Sequence, residues 1–119
     1  MELVEELYRV TARFPDCERY GLMSQIRRSA VSIPSNIAEG AARQSLAEFQ
    51  QFIHVAMGSA SELDTQLEIC YALGYIEAER WKSIDRKLQE IDRMLSGLRN
   101  HVRSAGRKAT VCRPQAEGR

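Results

Sequence analysis

Apolar residues recur along this chain in alternating steps of three and four, the spacing that lines one face of an α-helix. Leu3, Leu7, Val10 and Phe14 make a first short set, closed by Pro15. Ile26, Ala30, Ile33 and Ile37 make a second, within a helix expected over about residues 21–41. The third set is the longest, running Leu46, Phe49, Ile53, Ala56, Ala60, Leu63, Leu67 and Cys70 without a break. It opens on Ser45 with Glu48 three residues on, a capping box, and closes at Gly74, which suits the left-handed position past a helix end. Trp81, Ile84, Leu88, Ile91, Leu95, Leu98 and Val102 complete a fourth. No stretch alternates with the period of two that a strand requires. The pattern therefore predicts an all-α fold, an antiparallel up-down-up-down four-helix bundle over residues 1–102. Past Val102 the periodicity stops, and residues 103–119 read as a disordered, flexible basic tail.

The second helix departs from what a plain bundle helix would choose. Arg28, Ser32, Asn36, Glu39 and Arg43 fall on one polar stripe beside the apolar one, and Pro34 in its middle predicts a kink. Pairing this helix with the third around a turn near 43–44 puts Ser29 and Ala30 opposite Gly58. Glycine costs about 1 kcal/mol relative to alanine inside a helix. With Ala56, Ser59, Ala60 and Ser61 also small, a close approach of the two helices at Gly58 would account for that cost. Ser32, Asn36, Glu39, Gly58, Ser59 and Glu62 are thus expected at a polar helix–helix or subunit interface, with Glu62 in reach of Arg27 or Arg28.

Composition narrows the class. With 44% hydrophobic and 28% charged residues in 119, the chain can bury a core as one soluble domain. No apolar run approaches the roughly 20 residues of a membrane span, and no signal-peptide pattern precedes the first helix. Cys17, Cys70 and Cys112 suggest neither a disulfide framework nor a zinc site, so reduced thiols and a cytoplasmic location are expected. Di-metal bundles need Glu-x-x-His pairs, but three residues before His54 and His101 stand Gln51 and Leu98. No strained Gly-x-Ser-x-Gly turn or phosphate-cradling glycine loop is present either. The expectation is a non-enzymatic protein without metal or cofactor. Tyr8, Tyr20, Tyr71, Tyr75 and Trp81 read as core or boundary residues, although such rings can also stack on bases.

The net charge of +1 hides an uneven distribution. Residues 19–43 carry four arginines against Glu39. Residues 44–74 carry Glu48, Glu62, Asp64 and Glu68 and no lysine or arginine. Complementary patches of this kind favour a head-to-tail homo-oligomer.

The run SQIRRSAVSIPSNIAEGAARQSLAEFQQFIHVAMGS, with the flanking ELVEELYRVTARFPDCERYGL and QLEICYALGYI, resembles the 23S rRNA-intervening sequence protein family. That resemblance implies a four-helix bundle assembled as a ring of five. The basic residues Arg19, Arg27, Arg28, Arg43, Arg107 and Lys108 are candidate phosphate contacts, and the family's tie to ribosomal RNA genes points the same way, to RNA or DNA as a partner. The alternative is a structural or adaptor oligomer that binds a protein partner and no nucleic acid.

Overall fold

The computed structural model describes residues 2–117, with side chains through Gly106. Helices α1 (Glu2–Thr11), α2 (Leu22–Ala41), α3 (Leu46–Ala72) and α4 (Ala78–Glu117) follow one another, with a one-turn 3-10 helix at Asp16–Glu18. Among the described residues there is no strand. Each helix packs on its neighbours in sequence and α1 closes against α4, the arrangement an up-down-up-down bundle requires.

The apolar stripes meet as the spacing predicts. Leu3, Leu7, Val10 and Phe14 of the first segment, Ile26, Ala30 and Ile33 of α2, and Ala56, Ala60, Leu63, Leu67 and Cys70 of α3 are buried in one core with Ile84, Leu88 and Leu95, and Ile53 is fully buried as well. Val102 is the last buried residue of α4 among the described side chains, so the packed bundle ends there. The α4 backbone nevertheless stays helical through Arg103–Gly106 and on to Glu117. The expected tail residues Arg107 and Lys108 lie outside the described side chains.

Local chemistry sets the helix ends. Ser45 Oγ accepts from the Glu48 amide at 3.3 Å, which caps α3. Gly74 has φ +80°, the left-handed conformation that lets the chain turn toward α4. Gly21 precedes α2 and has no side chain to cap it, so Glu18 Oε1 reaches across to accept from the Leu22 amide at 3.2 Å. The other Glu18 oxygen accepts from the Tyr75 hydroxyl at 2.9 Å, tying this connection to the α3–α4 turn. Glu6, nearly buried, clamps α1 to α4 through Lys87 Nζ at 2.6 Å and Arg80 Nε at 3.5 Å.

One expectation fails. Helices α2 and α3 are offset by one turn from the register the connection suggested, for Ser32 Oγ meets Ser59 Oγ at 2.8 Å and Ser29 shares a groove with Glu62. The first turn of α3 overshoots the end of α2, which leaves Leu46 41% exposed despite its place on the apolar stripe. Gly58 consequently faces solvent, and a Cβ built there would meet nothing within 4 Å. The close approach is at Gly40, which is buried: its Cβ would lie 2.7 Å from Phe52 Cβ and 2.8 Å from Phe49 Cδ1.

Cys17 is exposed and Cys70 fully buried, and neither is in a disulfide. Burial, with the Glu18 carboxylate adding repulsion, pushes the Cys70 thiol up to about 11. Because the thiolate is the nucleophile, alkylation of the native protein near pH 8 should modify Cys17 and spare Cys70 until the chain is unfolded. Peptide mass mapping reads this directly, and equal native labelling of the two would contradict the packing around Cys70.

Candidate nucleic-acid interface

The outer face of α2, the connection before it and the exposed side of α1 enclose an open groove of about 770 Å³. Arg19, Arg27 and Arg28 all line it. Tyr8, Tyr20, Met23 and Val31 supply its apolar surface, and Ser24, Ser35 and Asn36 its neutral polar groups. Among the described residues no acidic side chain lines it.

The three arginines differ in freedom. Adjacent residues on a helix point about 100° apart, so Arg27 turns toward α1 while Arg28 projects outward. Arg27 donates from Nε to Thr11 Oγ1 at 2.9 Å and from Nη2 to the Tyr8 carbonyl at 3.1 Å. Its guanidinium carbon sits 4.4 Å from the centroid of the Tyr8 ring. Arg27 is thereby fixed against α1 and makes no ion pair with Glu62. Arg28 is exposed and has no hydrogen bond or ion pair among the described residues. It shares a second, smaller groove with Glu62, Ser29 and Gln66, so the two charges are neighbours without a direct contact within the subunit. Arg19 reaches over Tyr20, 5.9 Å from the ring centroid.

Part of the expected polar interface forms. Asn36 Nδ2 donates to the Ser32 carbonyl at 2.7 Å and to Ser32 Oγ at 2.8 Å, and Ser32 Oγ in turn bonds Ser59. This ladder satisfies polar groups along the α2–α3 contact. Glu39 stands apart from it, paired to Arg43 Nη2 at 2.7 Å one turn later. Arg43 also lies 4.0 Å from Glu48 and over the Phe52 ring. Two carboxylates therefore offset its charge, and it lies away from the groove that holds the other arginines. Gly58 is exposed and takes no part in the contact.

Tyr8 and Tyr20, expected in the core or at its boundary, are in fact open to solvent. Tyr20 is 89% exposed and Tyr8 42%. The signal in the sequence is the position of Tyr20, beside Arg19 and outside any apolar period, between Pro15 and Gly21. Tyr71, 40% exposed, stacks on the half-buried Trp81 with centroids 4.5 Å apart. His54 is exposed. Among the described residues no group of three or more His, Cys, Asp or Glu converges as a metal site would. Among them, too, no helix is long and apolar enough to cross a membrane.

Fold and groove together define a small four-helix bundle with three arginines and two tyrosines around one open groove formed by α1, α2 and the connection between them. The chain belongs to the 23S rRNA-intervening sequence protein family, whose model matches residues 1–97. It is similar to a crystal structure at 1.70 Å of a protein of unknown function from the S23 ribosomal protein family of Bacteroides thetaiotaomicron VPI-5482. The two are 29% identical with a TM-score of 0.71, over 81% of this chain and 87% of the other. No curated protein matches the chain.

Proposed function

We propose that this protein is a non-enzymatic homo-oligomer that binds nucleic acid through the groove on α2. The observation that carries this reading is the convergence of three arginines in a groove that no acidic side chain lines among the described residues. Arg28 in particular has no hydrogen-bonded or ion-pair partner to surrender to a polyanion. The family's name, with its reference to 23S rRNA, supports the same class. Because Arg43 is paired to Glu39 and Glu48, it contributes little, and the phosphate contacts move to Arg19 and Arg28.

Three arginines on one copy bind weakly at physiological salt, whereas repeated copies on one polyanion gain through effective concentration. Self-association has its own support. Val55 and Ile69 on α3 and Leu73 just past its end are 51%, 44% and 55% exposed, unpaired apolar surface outside the groove. Three of the four arginines of the basic α2 region, Arg19, Arg27 and Arg28, line the groove, so the contact between copies is assigned to this apolar surface and not to charge pairing with α2. A ring of five, as the resemblance implies, is the assembly we favour.

The exposed apolar surface of α3 also supports the second reading, an adaptor oligomer that binds a protein and no nucleic acid. Fluorescence anisotropy with a structured RNA fragment at low and moderate salt separates the two. Intact protein should bind at low salt and weaken steeply as salt rises, by counterion release. Arg19→Ala with Arg28→Ala should flatten the dependence of log affinity on log salt by about 0.7–0.9 for each phosphate no longer neutralised. Arg43→Ala should leave it nearly unchanged. Absence of binding at low salt would leave the adaptor reading in place. Light scattering at micromolar concentration tests assembly independently, and a monomer mass would rule out the ring.

A further inference from the structure

The groove is more than a basic patch, because its arginines are interleaved with aromatic and apolar side chains that a phosphate backbone alone does not need. We infer that its ligand is an unpaired, single-stranded stretch of nucleic acid whose bases stack in the groove. This rests on the nucleic-acid reading above and narrows it.

Tyr20 is the central observation. A ring left 89% exposed leaves most of its apolar surface in water. It stands in the connection before Gly21, with the Arg19 guanidinium 5.9 Å from its centroid, so one aromatic face and one cation are offered together. Tyr8 makes the second such pair, at 4.4 Å to Arg27. That pair is held in place before any ligand arrives, since Arg27 is bonded to both Thr11 and the Tyr8 carbonyl. Bases stack on exposed tyrosine rings and on guanidinium planes alike.

The rest of the lining agrees. Met23 and Val31 give the groove an apolar floor, with Val31 39% exposed. A duplex keeps its base faces stacked inside and shows the protein sugar and phosphate, so it cannot cover such a floor. Splayed bases can. Asn36 commits its amide nitrogen to Ser32, which leaves Oδ1 as an acceptor for a base edge or a ribose hydroxyl. Arg28, unpaired at its rim, is placed to meet the phosphates between stacked bases.

The test measures binding of the full chain to a single-stranded oligonucleotide and to a blunt duplex of equal length, at one low salt concentration. Tyr20→Ala should weaken single-strand binding about five- to hundred-fold, the range found when one stacking aromatic is removed. Duplex binding should change less than about twofold, since no base is stacked there. Tyr20→Phe, which keeps the ring, should restore single-strand binding. Arg28→Ala should weaken both ligands. Circular dichroism confirms that each variant is folded, and Tyr20 lies outside the core. Equal losses for single strand and duplex in Tyr20→Ala, or no loss for either, would overturn the stacking inference. If Arg28→Ala still weakened both, the broader nucleic-acid reading would survive that result. Intact protein that bound neither ligand would overturn both.

Discussion

Leu63→Ala should lower the free energy of unfolding by about 2–5 kcal/mol, the range for truncating a fully buried leucine. Leu63 has no exposed surface, and α3 packs against both α2 and α4. One and two turns earlier on the same face stand Ala60 and Ala56, whose methyl groups cannot fold into the space left behind. The cavity would therefore persist rather than collapse, which places the cost toward the upper part of that range. Leu46→Ala is the informative comparison. It removes the same atoms from the same predicted stripe, but Leu46 is already 41% exposed, so the cost should stay below about 1 kcal/mol. Urea denaturation at one fixed protein concentration reads both, since self-association makes apparent stability concentration-dependent. Equal costs for the two variants would mean that α3 enters the core a full turn earlier than the structure shows.

That comparison turns on what periodicity can and cannot convey. A stripe of leucines states which face of a helix is apolar, but not how far along its axis the helix begins to pack. The burial of Ile53 through Cys70 was legible for the first reason and the exposure of Leu46 was not for the second. Ends written in local chemistry were legible too, as Ser45 capping α3 and Gly74 in its left-handed turn show. The axial offset of α3 against α2 depends on how residues 42–45 wind, which no single residue type there dictates. The Ser32–Ser59 contact and the shared groove of Ser29 and Glu62 reveal it.

The site was half legible for similar reasons. Arg27 and Arg28 are neighbours in sequence, yet one is bonded to α1 and the other is free, because a helix sends adjacent residues in different directions. The i,i+4 pairing of Glu39 with Arg43 follows a rule that local sequence could have supplied. Tyr8 and Tyr20 belong to separate segments, and only the packing of α1 beside α2 brings both to one groove.

Gly40→Ala and Gly58→Ala should change stability in opposite directions. Each replaces a helical glycine, and each gains about 1 kcal/mol of helix propensity from alanine. At Gly58 nothing lies within 4 Å of the new methyl group, so most of that gain should remain, about 0.5–1 kcal/mol. At Gly40 the methyl would stand 2.8 Å from Phe49 Cδ1, a ring edge that can swing aside. It would also stand 2.7 Å from Phe52 Cβ, which is attached directly to the α3 backbone and cannot move without it. The helices must then part, at the cost of about 1–3 kcal/mol that overpacking brings. Propensity offsets only part of this, and Gly40→Ala should be net destabilising. The displacement should also strain the Ser32–Ser59 contact two turns away, because both fall on the same α2–α3 seam. Urea denaturation of the two variants beside the parent chain decides the matter. Stabilisation by both would show that the helices have room at Gly40, and stabilisation by Gly40→Ala alone would return the close approach to Gly58.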